Sequence, residues 1–455
     1  MSTVLTSIFA FVLAIGILVA VHEYGHYLIA RLIGVKVLRF SIGFGRPIWL
    51  RRWGTDQTEY CVSAVPLGGY VKLLDEREGN VDSVDLPRAF NRQPIPKRIA
   101  VLVAGPMMNF VFAVFAYWVM FVIGVPGAQP IIGDVTEASI AANAGLAEGD
   151  RIVQVGEQPV ATWEGAILAI LDSILADGDM PMQVVDRQDD RRTVRLDVQG
   201  KMTELTEPGK MFSGLGITPW APPWFPLVTD VQAGSPAETA GLLPGDLILR
   251  LDGDPVHNGA DWVRLVQSKP DQTVQLVVER GGAELQLTVG LASKLSEGNP
   301  VGWIGTTTTV PPGVLDRYRA DQRYSFGESF GVALKRTWSM SALTVRMVGR
   351  MITGEVSAKN ISGPINIAQY AGYSASGGLV SFLSFLAIVS ISLGILNLLP
   401  IPMLDGGQVV YQVLEAFKGS PLSERAQLIG QQIGIVILVV LMSFAFYNDL
   451  ARIFN

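Results

Sequence analysis

The run Ile15-Gly16-Ile17-Leu18-Val19-Ala20-Val21-His22-Glu23-Tyr24-Gly25-His26 ends an almost wholly apolar N-terminal segment with two histidines and a glutamate. Four residues apart on a helix, His22 and His26 share one face, and Glu23 projects beside them. This is the H-E-x-x-H pattern, in which two imidazoles hold a metal and the carboxylate handles the proton of a water. Ionisable side chains within a span cost about 3 kcal/mol each on insertion scales unless they face protein or serve a site. A blander reading makes the motif a helix end whose polar side chains are hydrated at the membrane interface.

Composition extends the membrane reading to the whole chain. Hydrophobic residues make up 49% of the 455 residues and charged ones 17%, and mean hydropathy is positive, a balance unusual for a soluble protein of this size. Four apolar runs, near 4–30, 99–125, 379–399 and 429–447, approach the length that crosses a hydrocarbon core of about 30 Å, the last only marginally. No Lys or Arg precedes the first run, and it continues into the His22 motif, which argues against a cleaved secretion signal. A net charge of −6 with no basic stripe outside the membrane-flanking loops argues against nucleic-acid binding. Cys61 is the sole cysteine, so an intrachain disulfide is impossible and a Cys-rich metal site is excluded.

Loop charges set the orientation. About a dozen Lys and Arg lie between the first two runs, from Arg31, Lys36 and Arg39 to Arg92, Lys97 and Arg98, which predicts a cytoplasmic loop there and an external N-terminus. The stretch 126–377 is then external. Lys335, Arg336, Arg346 and Arg350 sit on the wrong side for this scheme, although far from the third run. Residues 326–352 carry apolar positions at helical spacing between these cations, as an amphipathic helix on the membrane surface or against the external domains would; an ordinary linker helix fits equally.

The external stretch contains a repeat. Ser139 to Val153, with Gly145-Leu146 and Gly149-Asp150, matches Ser235 to Leu249, with Gly241-Leu242 and Gly245-Asp246, and Pro159-Val160 matches Pro255-Val256. Each unit reads as a short helix stopped by glycine and a turn into a strand, and the pair resembles PDZ domains. Gly214-Leu215-Gly216-Ile217 and Gly302-Trp303-Ile304-Gly305 resemble the loop that caps a peptide groove, where peptide C-termini would add a strand. Spacers or size filters are the alternative.

Helix rise places His22, about 17 residues into the first run, roughly 25 Å into a core of about 30 Å, just inside the cytoplasmic boundary. A catalytic zinc needs a third protein ligand, and the remaining histidine, His257, lies in the second repeat across the membrane. Asp405, in Leu404-Asp405-Gly406-Gly407 immediately after the third run, emerges on the same side as His22 and is the candidate.

With His22 to His26 in the first run, Gly105-Pro106-Met107-Met108-Asn109-Phe110 in the second, Asn397 to Gly407 after the third and paired PDZ-like units between, the chain resembles the site-2 protease family of intramembrane zinc metalloproteases over essentially its whole length. The fold implied is a polytopic α-helical membrane protein with four transmembrane helices, a membrane-associated β-loop and two external PDZ domains. Its divisions would be 1–30, first span; 31–98, cytoplasmic loop with a β-hairpin; 99–125, second span; 126–221 and 222–310, PDZ domains; 311–377, linker and amphipathic helix; 378–400, third span; 401–428, cytoplasmic segment; and 429–449, fourth span. The resemblance implies one Zn2+ per chain on His22, His26 and Asp405, with Glu23 as general base. Asn397, Asn109 and the β-loop residues Gly68, Gly69 and Tyr70, beside Gly43-Phe44-Gly45, would meet substrate. Implied substrates are single-span proteins such as a pre-trimmed anti-sigma factor in envelope stress signalling, and remnant signal peptides. The implied location is the bacterial inner membrane, with periplasmic PDZ domains and an active site near the cytoplasmic face. Two other classes stand beside this one: a membrane-anchored PDZ scaffold or chaperone with a structural metal, for which an intact Glu23 has no use, and a surface zincin acting on soluble peptides, which the depth of the motif disfavours.

Overall fold

The structure, a computed structural model, describes residues 2–79, 81–176, 178–220, 225–296, 299–314 and 316–454. Among these, four helices are long and apolar enough to cross a membrane: Val4–Leu32, Ile95–Ile123, Leu379–Leu398 and Arg425–Arg452. The second begins earlier than its apolar run because Pro96 sits in the first turn, where its missing N–H costs nothing. The fourth, marginal by sequence, lies within a helix of 31 residues, Glu424–Phe454, whose polar ends carry it past the apolar run.

The second span is the central post, packed against the first and third spans. Its backbone touches that of the first span where Gly25 faces Ala104: a Cβ on Gly25 would lie 2.3 Å from the Ala104 carbonyl oxygen. In lipid, where apolar burial gives little drive for association, such small-residue contacts let helices gain dispersion energy.

Between the first two spans, β1 (Val37–Trp53) and β2 (Thr58–Leu73) pair antiparallel. They do not form the simple hairpin expected from the sequence. Residues 37–42 pair on one side with 59–62 and on the other with 69–73, while 47–53 pairs with 58–63. Each arm thus folds back on itself, and the sheet runs 47–53, 58–63, 37–42, 69–73. Gly43 and Gly45, at φ 91° and 86°, turn the first arm in the left-handed region where side chains are strained. The segment 69–73 ends up at an edge; among the described residues, no strand pairs with its other side.

The stretch between the second and third spans forms two β-rich units of similar construction. The first has the sheet Gln158–Pro159, Arg151–Val155, Asp179–Val185, Arg191–Asp197, with Ile132–Val135 paired to Ile217–Pro219. The second runs Ala283–Gly290, Thr273–Arg280, Leu247–Leu251, Leu227–Val231, Thr306–Thr309. Ser139 and Ser235 N-cap the short helices that the repeat predicts, and Thr162 and Asn258 cap the longer ones. The repeated aspartates, Asp150 and Asp246, are buried and each meets an arginine, Arg192 at 2.5 Å and Arg280 at 2.6 Å. Burial opposes ionisation of Asp246, but Arg280 and the Leu243 N–H outweigh it and hold the carboxyl below its ordinary range.

The helix Phe326–Ile352, opened by a Ser325–Glu328 capping box, decides between the readings of that segment. One buried cluster joins Ile152, Ile170 and Ile174 of the first unit, through Ala333, Met340 and Leu343 of this helix, to Tyr117 of the second span and Ile391 of the third. Three of its four cations meet acidic side chains: Arg336 meets Glu164 at 3.0 Å, Arg346 meets Asp172 at 2.6 Å, and Arg350 pairs with Glu355. The helix is therefore a brace between the first β unit and the spans, with Phe330, Leu334, Trp338 and Val345 left exposed along one stripe. The second unit keeps a separate core around Trp262, Leu276 and Val278.

Candidate metal centre

Three side chains converge in the interior of the span bundle. His22 and His26 project from adjacent turns of the first span, and Asp405 opens the helix Asp405–Lys418 that follows the third. The Nε2 atoms of His22 and His26 lie 3.2 Å apart. Asp405 Oδ2 is 3.1 Å from the first and Oδ1 is 3.5 Å from the second. Zinc bonds of about 2.0–2.1 Å in tetrahedral array put neighbouring donors roughly 3.3 Å apart, so the three atoms fit such an ion. They are also the one group of at least three His, Cys, Asp or Glu ligand atoms clustered this closely among the described residues.

The second span supports both imidazoles from behind. His26 Nδ1 donates to the Val101 carbonyl at 2.8 Å, which leaves Nε2 with a free lone pair for a metal. His22 Nδ1 lies 3.2 Å from the side-chain amide of Asn109, whose Oδ1 is buried without a partner. A metal on His22 Nε2 needs the proton on Nδ1, and Asn109 turned by 180° about its amide presents Oδ1 to accept it. Gly105 completes the cradle: a Cβ there would sit 2.2 Å from His26 Nε2. Gly105 of the sequence motif thus makes room for a ligand ring.

Asp405 is held by its helix. Leu399 to Leu404 turn tightly after the third span, and Gly406 and Gly407 let the new helix lie on that turn, since a Cβ on either would be 2.3 and 2.2 Å from the carbonyl oxygens of Leu398 and Ile401. Both glycines of the Asp-Gly-Gly run are there for space, since neither carries a positive φ.

A cavity of about 360 Å³ opens beside the three ligands, lined by Glu23, Gly69, Tyr70, Val71, Phe90, Leu102, Asn397, Met403 and Leu404 as well. Glu23 therefore shares the cavity with the ligand set, and Gly69 brings the edge strand against it: a Cβ on Gly69 would lie 3.0 Å from Glu23 Cγ. Of the residues expected to meet substrate, Asn397, Gly69 and Tyr70 line the cavity. Gly68 does not; it packs under the Phe44 ring and bends the strand at φ 151°. Asn109 is also elsewhere than expected, fully buried and bonded to His22.

The glycine loops of the two β units lie outside this cavity. Gly216 and Gly305, both at positive φ, are pressed on Ser139 and Ser235, while Leu215, Ile217 and Ile304 point into the cores. Gly214 packs on Leu205, and Gly302 on the Val266 carbonyl. Trp303 lies under Lys294 Nζ at 3.6 Å and lines a cavity of about 390 Å³ with Gly234, Pro236 and Thr239. The Val101 carbonyl, Phe90 and Leu102 were not singled out by sequence reading, since no residue type marks a carbonyl or a wall.

Comparison with known proteins agrees with this geometry. Peptidase family M50 matches residues 10–441. The chain is 41% identical over 446 residues to the regulator of sigma-E protease RseP of Escherichia coli K12, covering 98% of both. It is 41% identical over 461 residues, with full coverage of both, to a Vibrio cholerae protein named "Putative zinc metalloprotease". Among solved structures, the PDZ domain of an SdrC-like protein from Listeria monocytogenes is 27% identical over 19% of this chain and 87% of that one, with a TM-score of 0.17. With a metal-ligand cluster built from the first span and the Asp405 helix, and a family match that spans both, this chain belongs to peptidase family M50, the site-2 proteases, and is a metalloendopeptidase.

Proposed function

We propose that the chain cuts transmembrane segments of single-span membrane proteins, with one zinc on His22, His26 and Asp405 and with Glu23 as general base. The observation that carries this reading is the convergence of the three ligand atoms beside a strand edge that no other strand joins among the described residues, at the level of the span bundle. Bound there, zinc would polarise the scissile carbonyl and make a water acidic enough to attack it at neutral pH. Glu23 takes the proton of the attacking water and returns it to the leaving amine.

A membrane-embedded helix hides its carbonyls in its own hydrogen bonds, and lipid offers no replacement partner. The edge segment 69–73, beside which no strand lies among the described residues, would offer backbone groups to an unwound segment in β-augmentation, and the Asn397 amide one more. The sheet's outer arm exposes Ile48, Trp49, Leu50 and Trp53, an apolar band suited to lie in the bilayer interface. Asn109 acts through His22 and does not touch the substrate.

The sigma-E name of the Escherichia coli relative fits a pre-trimmed anti-sigma factor as one substrate, with remnant signal peptides as another. In this reading 31–98 and the Asp405 segment lie on the cytoplasmic side of a bacterial inner membrane, and the two β units, read as PDZ domains, in the periplasm; the loop charges support that orientation. Their glycine loops either read newly exposed C-termini or sieve substrates by size.

Unwinding makes the rate depend on the substrate helix. A single-span substrate with two glycines near the scissile bond is expected to be cut about 30-fold faster than one with two leucines there, because each glycine weakens a helix by about 1 kcal/mol. The test is kcat/KM for the two substrates with the purified chain in detergent. Equal values would remove unwinding from the mechanism, and cleavage of soluble peptides alone would overturn the function.

A further inference from the structure

The second span holds His26 through the Val101 carbonyl and His22 through Asn109. One turn before Val101, it also carries Arg98, whose guanidinium grips Glu415 with two parallel bonds, Nη1 to Oε2 at 3.1 Å and Nη2 to Oε1 at 2.6 Å. Glu415 lies on the helix that Asp405 begins. Both side chains are largely buried, 8% and 16% exposed.

We propose that Arg98 and Glu415 are positioning residues for Asp405, completing a set of three supports by which one helix orients all three metal ligands. This rests on the ligand set proposed above. Asp405 Oδ2 and Oδ1 face the His22 and His26 rings at 3.1 and 3.5 Å, so the carboxylate's direction is set by its helix and by the two imidazoles. That helix is wedged at its first turn by Gly406 and Gly407. Its far end, ten residues or roughly 15 Å away, is fixed by Arg98. A rotation of about 20° about the helix axis moves a side-chain tip roughly 5 Å off the axis by nearly 2 Å, whereas metal–ligand distances tolerate only about 0.2 Å. A bidentate fork resists such rotation, and apolar packing does so far less.

Stability alone does not account for the pair. Buried ion pairs are often replaced by apolar residues of similar volume with no loss, or a gain, in folding free energy. Arg98 Nε is moreover buried without a partner, a further cost that a purely structural contact would have no reason to carry. Directional control of a ligand-bearing helix is a use for which apolar packing is no substitute.

The test uses the full chain in detergent and compares wild type with three variants: the apolar pair Arg98→Met/Glu415→Leu, the reversed pair Arg98→Glu/Glu415→Arg, and Glu415→Gln. Three quantities are read: the unfolding midpoint of the metal-free protein, zinc affinity by competition with a chromophoric chelator, and kcat and KM on a single-span substrate. The apolar pair is expected to keep or raise the metal-free midpoint while zinc affinity falls about 10–100-fold and kcat falls with KM unchanged. The reversed pair should recover zinc affinity to within about fivefold of wild type, with Glu415→Gln between the two. Wild-type zinc affinity and kcat in a folded apolar pair would overturn the proposal. Should that pair not accumulate, wild-type zinc affinity in Glu415→Gln would overturn it equally. Asp405→Asn with unchanged zinc affinity would instead overturn the ligand set itself, so the two failures are separable.

Discussion

Glu23→Gln is expected to lower kcat on a single-span substrate by about 10²–10⁴-fold while zinc stays bound. Glu23 lines the ligand cavity but is not one of the three clustered ligands, so the amide keeps the shape of the site and removes only the base. The substitution adds no volume where Gly69 approaches the side chain closely, so the strand edge should stay in register and KM should change little. The measurement is kcat and KM with zinc content determined on the same preparations. A variant that cuts like wild type would remove Glu23 from the chemistry. One that loses zinc would make it a ligand instead of a base.

The second large effect is on the metal. Asp405→Asn is expected to weaken zinc binding by more than the roughly 10–100-fold that loss of a hydrogen-bond partner behind a ligand costs, because it removes the anionic donor itself. Two neutral imidazoles and an amide leave the ion's charge uncompensated in a bundle of low dielectric. Asp405 Oδ1 and Oδ2 face His26 and His22 at 3.5 and 3.1 Å, so the substitution removes the carboxylate that meets both imidazoles. Glu23 is the nearest alternative in the cavity, and its recruitment would show as retained zinc with lost cleavage. Zinc stoichiometry after dialysis against a weak chelator is the check, with unchanged stoichiometry the contradictory result.

Much of this centre was legible in the sequence because its parts are local. The i, i+4 spacing of His22 and His26 fixes a shared face, and the apolar runs fix four spans; each depends on residues close in the chain. Asp405 was reachable because helix parity returns the chain to one side of a membrane, a constraint that soluble proteins lack. The rest depends on contacts between distant segments. Arg98 and Glu415 meet across 317 positions, and nothing in either local sequence marks the partner. The four-segment sheet was hidden for a different reason: alternating apolar patterning specifies strands but not where one strand bends to pair on two sides. That bend depends on Gly43 and Gly45, at positive φ. The sequence left Phe326–Ile352 open between a helix on the membrane surface, one against the external domains and an ordinary linker, because cations on an amphipathic face are common to lipid and protein contacts. Distant contacts distinguish them: Glu164 and Asp172 on the first β unit, and the buried cluster around Ala333, Met340 and Leu343.

The central claim is that the bond broken lies inside the membrane, at the depth set by His22 and the edge strand. The direct measurement is the mass of both products when the purified chain, reconstituted in lipid vesicles, acts on a single-span protein. The account predicts one cut within the apolar segment, a few residues from its cytoplasmic end, abolished by chelation and restored by zinc. A cut confined to the soluble flanks of that segment would contradict it.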